Sequence, residues 1–240
     1  STRSHAWSNP RSARVDVAPD TKGGEPLTIA AVRDWLSANA SEAERAKLSR
    51  YGIPDEHALG VAMGAMLGFA RGRPKDPALA AALWDDGGYE MRTLAVLLDD
   101  PAALSGARMD AMVAEFDNWA ICDTACFRLF DRVPDAWDAV PRWVASDRPY
   151  VRRAGFALVW GLSVHDKNAG DDRFHAALAL AEAHVADDRP HVSKAVSMAV
   201  RATGKRNAAL RAAALAWADR VERCGRAAAR LARQVRRDLV

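Results

Sequence analysis

Trp119, Asp123, Phe127 and Phe130 stand in the run NWAICDTACFRLFD at residues 118–131. At about 100° per residue they fall within one arc of a helix, so a single carboxylate sits among aromatic rings, one turn after a Trp. A carboxylate in that setting is costly if it is buried without a partner. Its presence is explained if the face lines a groove that receives something cationic. An ion pair with an Arg, or a cap on a neighbouring helix, with the aromatics then serving as plain core, is the simpler explanation on spacing alone, because structural ion pairs also place acids in apolar settings.

The element that must position this carboxylate is legible on its other faces. Asn118 is a good N-cap, and no Gly or Pro interrupts the run to Asp131. Ile121, Cys122, Ala125 and Leu129 form an apolar stripe, and Thr124, Arg128 and Asp131 form a polar strip expected to face water.

A second set of chemically capable residues lies in a repeat. DRPYVRRAGFALV at 147–159 aligns with DRPHVSKAVSMAV at 188–200, an offset of 41 residues that pairs Arg153 with Lys194. A fainter copy, YEMRTLAVLL, begins at Tyr89 and brings Arg92 to the corresponding point. A helical repeat of about 40–47 residues is the mark of HEAT and armadillo solenoids, in which stacked helix pairs curve around a binding face. Stacking would line Arg92, Arg153 and Lys194 into a basic ladder, suited to a strand of phosphates.

The remaining elements agree. Half of the 240 residues are hydrophobic, Ala dominates them, and period-2 segments are hard to find, so the chain reads as all-α. Thr28, the Ser41–Glu44 capping box, Asp76-Pro77, Ser105, Pro149, Pro190, Asn207 and Gly225 mark helix starts. A long helix is expected to end at Phe69, and Asp138 is expected to cap a short helix carrying Pro141. Residues 1–26, polar and rich in Pro and Gly, read as a loose arm carrying Arg3, Arg11 and Arg14, and residues 27–240 as one repeat domain.

The net charge of +3 hides an asymmetry: residues 201–240 carry +8, leaving −5 for the rest. A basic end suggests a polyanionic partner. Arg223, Arg226, Arg230, Arg233 and Arg237 share about an 80° arc of the last helix, opposite Val221, Leu231, Val235 and Leu239. Three cysteines, two of them on one helix, make no disulfide framework and suit a reducing, cytoplasmic compartment. No Cys or His spacing fits a metal site, and neither a membrane span nor a signal peptide is visible.

Taken together, Trp119 and Asp123 in NWAICDTAC, Arg152-Arg153 in PYVRRAGFAL, and Lys194 with Arg201 in KAVSMAVRATGK resemble the HEAT-like repeat alkylpurine DNA glycosylases, the AlkD family, over roughly residues 27–220. The resemblance implies a curved all-α solenoid that excises N3- or N7-alkylated purines from duplex DNA. A solenoid with a basic face has no obvious need to dimerise, so a monomer associated with the nucleoid is expected, with no cofactor. Alkylation makes the base cationic and the sugar develops oxocarbenium character as the bond breaks, so Asp123 would stabilise that charge and Trp119 would pack on the sugar. Arg92, Arg152, Arg153, Lys194 and Arg201 would hold the DNA, with His191 and Met198 beside the lesion. The chain departs from the family's pattern where Met198 replaces a second Trp and Pro190-His191 replace aromatics. Relatives that keep the fold without the activity, binding distorted or branched DNA, are the alternative; a protein-binding scaffold is a third.

Overall fold

The structure is a computed structural model that describes residues 26–54 and 56–240. The arm with Arg3, Arg11 and Arg14 lies outside the described residues, apart from Pro26, as does Asp55. The described residues form thirteen α-helices and no strand. The first six are α1 (Ile29–Ala38), α2 (Glu42–Arg50), α3 (Met63–Ala70), α4 (Pro77–Asp86), α5 (Tyr89–Leu98) and α6 (Gly106–Ala114). After them come α7 (Trp119–Arg128), α8 (Ala139–Val144), α9 (Pro149–His165) and α10 (Asp171–Ala183). The last three are α11 (Pro190–Gly204), α12 (Ala208–Val221) and α13 (Arg226–Leu239).

Most starts fall where the cap residues place them. The side chains of Thr28, Ser41, Asp76, Ser105, Asn118 and Asn207 each accept from a first-turn amide, and Pro77, Pro149 and Pro190 open their helices. The helices then stack in two layers. Odd-numbered helices from α3 to α13 pack side by side in sequence, and α4, α8, α10 and α12 back them. The helices of the two aligned repeats begin at Pro149 and Pro190, so the 41-residue offset is the spacing of α9 and α11 in this stack.

Three expectations fail. The long helix before Phe69 is only α3, because residues 56–62 run without helix and Gly60 turns with φ +76°. A Cβ at Gly60 would lie 2.2 Å from the Ser41 carbonyl oxygen, so only Gly fits this approach. The buried Glu90 holds the segment: its carboxylate accepts from the amides of Leu59, Gly60 and Val61 at 3.2, 2.8 and 3.2 Å. Glu90→Gln turns one acceptor into a donor facing these amides. We expect a loss of about 2 kcal/mol, read as a lower urea midpoint with an unchanged slope.

The second failure is Asp138, which ends a 3-10 turn and makes no side-chain cap; α8 starts without one. The third is the length of the 118–131 helix. It stops at Arg128, where Leu129 leaves helical geometry (φ −133°, ψ −62°), and Phe130–Arg132 form a 3-10 turn. Phe130 therefore leaves the Trp119 face and is buried against Phe116 and Trp143. Asp131 leaves the polar strip and is buried against His165 Nδ1. Gly161 leaves room for this carboxylate, since a Cβ there would come within 2.9 Å of Asp131 Oδ2.

Candidate nucleic-acid interface

Ile121, Cys122, Ala125 and Leu129 are all buried, which fixes the rotation of α7 and turns Trp119, Asp123 and Phe127 toward the open face. The thiols of Cys122 and Cys126 point at the carbonyls of Tyr150 and Ala154, holding α7 close to α9. Half-buried side chains from three adjacent helices meet here: Phe127 of α7 stacks on Trp160 of α9, Tyr150 of α9 lies against His191 of α11, and Trp160 lines a cleft with Met198 of α11, while Trp119 and Asp123 of α7 are half-buried as well. The exposed Lys194 lies with its ammonium 5.7 Å from the Trp119 ring centroid, within cation–π range. Trp119 is oriented by its Nε1–H, which donates to the Tyr51 carbonyl at 2.8 Å.

Asp123 is not a lone carboxylate. Arg153 donates from Nε to Oδ1 at 2.8 Å and from Nη2 to Oδ2 at 2.7 Å, and its Nη1 donates to the His191 carbonyl at 2.7 Å. One guanidinium therefore ties α7, α9 and the first turn of α11 together. The Arg153 side chain is 2% exposed and that of Asp123 17%. Burial works against the Arg153 charge, but Asp123 outweighs it and the guanidinium is held above its ordinary value.

The basic ladder is accordingly not what the structure holds. Arg153 is buried and spent on Asp123. Arg92 donates to the Glu115 carboxylate at 2.8 Å and lies over the Trp84 ring. Arg152 is paired with Asp187 at 2.7 Å and Asp147 at 3.2 Å, and Arg201 with Asp238. Of Arg92, Arg152, Arg153, Lys194 and Arg201, only Lys194 lies exposed without an ion pair among the described residues. His191 is a weak candidate for holding a phosphate by charge, because burial, Arg153 and Lys194 all push its pKa down against the smaller pull of Asp123.

Asp187 shows what these pairs do for stability. Arg189, with Arg152 helping against burial, holds its carboxyl down to about 2. A carboxyl lowered on folding stabilises above its unfolded value near 3.9 and loses that contribution as pH falls toward 2. The contribution at neutral pH is on the order of 1–2 kcal/mol. Asp187→Asn should therefore be less stable than the wild type at pH 7, with the difference shrinking between pH 4 and pH 2 in denaturant melts.

Trp160 was not among the residues the sequence singled out. It stacks on Phe127 at 4.2 Å between centroids and, with Met198, lines a cleft of about 900 Å3 that also carries Lys167, Lys205 and Arg206. Its signal was its place seven residues after Arg153, on the same helical face. An aromatic ring from α9 thus stands in the same cleft as Met198. The His165 ring also lies 4.7 Å from Phe127, held by Asp131, whose carboxyl burial pushes up. Four arginines of the expected stripe, Arg226, Arg230, Arg233 and Arg237, are exposed on α13 while its Leu231, Val235 and Leu239 are buried; Arg223 is exposed and Val221 buried as expected, but neither lies on that helix, since Val221 ends α12 and Arg223 falls in the turn before Gly225.

Stacked helix pairs at a 41-residue spacing, with one layer carrying an acid, aromatics and cations, define a HEAT-like repeat protein. A family model described as DNA alkylation repair enzyme matches residues 32–238, and the chain belongs to that family. A solved structure matches at a TM-score of 0.75 and 20% identity, covering 88% of this chain and 95% of its own. It is described as a new family of proteins related to the HEAT-like repeat DNA glycosylases with affinity for branched DNA structures. No curated protein matches the chain. Among the described residues, no helix is long and apolar enough to cross a membrane, and no three metal-ligating side chains gather.

Proposed function

We propose that this chain binds duplex DNA across α7, α9 and α11 and releases N3- or N7-alkylated purines, with Asp123 facing the sugar as positive charge develops. The observation that carries this reading is a partly exposed Asp123 on the same helix face as Trp119 and the Phe127–Trp160 stack, with Lys194 over the Trp119 ring. Membership in the DNA alkylation repair family supports it. Lys194 would pass from Trp119 to a phosphate, leaving the ring to pack on the sugar. Lys167, Lys205 and the α13 arginines would add contacts along the backbone.

The Arg153 pair sets the size of the effect. A bare carboxylate about 4 Å from a unit positive charge stabilises it by on the order of 4 kcal/mol at an effective dielectric near 20. The guanidinium, about 7–8 Å from the same charge, opposes it by roughly 2 kcal/mol. About 2 kcal/mol is left, or roughly thirtyfold in rate.

The same pairing, with Met198 in place of an aromatic, favours a second reading: a relative that binds branched DNA and excises nothing. The described affinity of the similar solved structure supports that alternative. Chromatography of free 7-methylguanine and 3-methyladenine from methylated duplex, with DNA binding measured alongside, separates them. Release supports the first reading; salt-dependent binding without release supports the second. No binding sinks both.

A further inference from the structure

The cleft of about 900 Å3 lies between the C-terminal halves of α9 and α11 and the turns that follow them. Trp119, Asp123, Arg153 and Lys194 are not among its walls. Its floor is apolar and uncovered. Trp160 and Met198 are half-buried, and Val164, at 37%, is one of four large apolar side chains exposed among the described residues. A lone exposed Val is ordinary; three uncovered apolar side chains around one cavity are not. Trp160 is also a fixed platform, because Phe127 stacks on it with 24° between the ring planes. Its indole N–H makes no hydrogen bond among the described residues, so the platform keeps an unused donor.

The cations of the cleft are of two kinds. Arg206 donates to the Ser163 and Ala169 carbonyls at 3.1 and 2.9 Å and lies over the Phe174 ring, while Arg201 is paired with Asp238, so both are fixed parts of the wall. Lys167 and Lys205 are exposed, and their ammonium groups make no hydrogen bond or ion pair among the described residues. The one acid of the lining, Asp171, accepts from the Asn207 amide at 2.9 Å. Lys167 stands two residues past α9 and Lys205 directly past α11, where the backbone dipole favours a cation. The dipole explains why lysines stand there. It does not explain an uncovered aromatic floor in the same cavity.

An anion joined to a flat, largely apolar ring satisfies both sets of groups at once. The ring lies on the indole and the polarisable Met198 sulfur, and the anion meets the two ammoniums. Nucleotides are that chemical class, since every base has a face to stack and carries a phosphate at a fixed remove. The cleft is also within the size range of sites for small molecules. We propose that it is a nucleotide site, taking one nucleoside monophosphate unit with its base against Trp160 and Met198 and its phosphate on Lys167 and Lys205. Two sources carry that chemistry: a free nucleotide, and an unpaired unit of a single strand. The site shares only Lys167 and Lys205 with the duplex-binding reading, which uses paired DNA over Asp123.

Isothermal titration calorimetry of the full chain tests this with AMP, adenosine, inorganic phosphate and a single-stranded deoxyadenylate decamer. The expected result is AMP binding with a Kd of roughly 1 mM or below, and binding at least about tenfold weaker for adenosine and for phosphate alone. Trp160→Leu removes the stacking ring and should weaken AMP binding roughly fivefold or more. Lys167→Ser/Lys205→Ser, which changes only exposed side chains, should weaken it as much. Melting curves certify the fold, and the lysine variant carries the test if loss of the Phe127 stack unfolds the other. A decamer that binds more tightly than AMP, with the same sensitivity to Trp160→Leu, supports the site and assigns its occupant to a strand. AMP binding that the decamer does not displace supports the site and assigns a free nucleotide. Wild type that binds neither AMP at millimolar concentration nor the decamer overturns the inference. Phosphate bound as tightly as AMP overturns it too, leaving an adventitious ion only, as does binding unchanged in both variants. No arm uses duplex or a methylated base, so failure here is distinct from failure of the excision reading.

Discussion

Arg153→Ala lowers the stability of the fold by about 3 kcal/mol, the lower end of the cost of breaking a buried ion pair. In a chain of this size that is a fall in melting temperature of about 6–12 °C. The size follows from what Arg153 leaves behind. Asp123 loses two charge-assisted hydrogen bonds while only 17% of its side chain reaches water, and the His191 carbonyl loses its third-helix partner. A phosphate-gripping arginine on the surface would behave otherwise, since its removal changes stability by no more than about 0.5 kcal/mol. Arg153→Lys should recover only part of the loss, because an ammonium cannot serve both carboxylate oxygens and the His191 carbonyl in one plane. Thermal melts of the three proteins decide between a structural clamp and a DNA contact.

Asp123→Asn is the second large effect, and it is bounded from below. Removing the negative charge takes away about 4 kcal/mol of transition-state stabilisation and leaves the Arg153 charge opposing the reaction. DNA that exchanges off the variant still loses the base spontaneously, however, so with free duplex in excess that background sets a floor under the observed release. The observed drop is therefore the whole of the wild-type advantage, about thirtyfold, rather than the thousandfold a bare carboxylate would give. Asparagine keeps the shape, so affinity for unmodified duplex should stay within about twofold. The assay belongs well below the variant's melting temperature, since Asn pairs less well with the buried guanidinium.

These two predictions meet at the point where the sequence was ambiguous. Helical periodicity put Asp123 on a face with Trp119 and Phe127, and that face is real. The apolar stripe of α7 and the arginine stripe of α13 were equally legible, because a helix buries whatever its period gathers on one side. The starts were legible too, since Ser105, Asn118, Asn207 and the two Pro residues of the aligned repeats act locally. The offset of 41 residues correctly equated Arg153 with Lys194 in register.

Register does not give environment, and this is where the ladder was lost. Arg153 lies between α7 and α11, where an acid from one neighbour and a carbonyl from the other enclose it. Lys194, at the same offset in the next repeat, lies over an aromatic ring and stays exposed. The other misses share this long-range origin. Glu90 keeps residues 59–61 out of a helix from thirty positions away, and His165 draws Asp131 inward from thirty-four. No local propensity carries those contacts. Trp160 escaped notice because its partner, Phe127, sits on another helix.

The most direct measurement is the rate at which 7-methylguanine leaves methylated duplex saturated with wild-type protein, compared with the same DNA alone. With Asp123 acting on the sugar against the pull of Arg153, release should run roughly thirtyfold faster than spontaneous loss. Release no faster than from free DNA, with the duplex demonstrably bound, would contradict it.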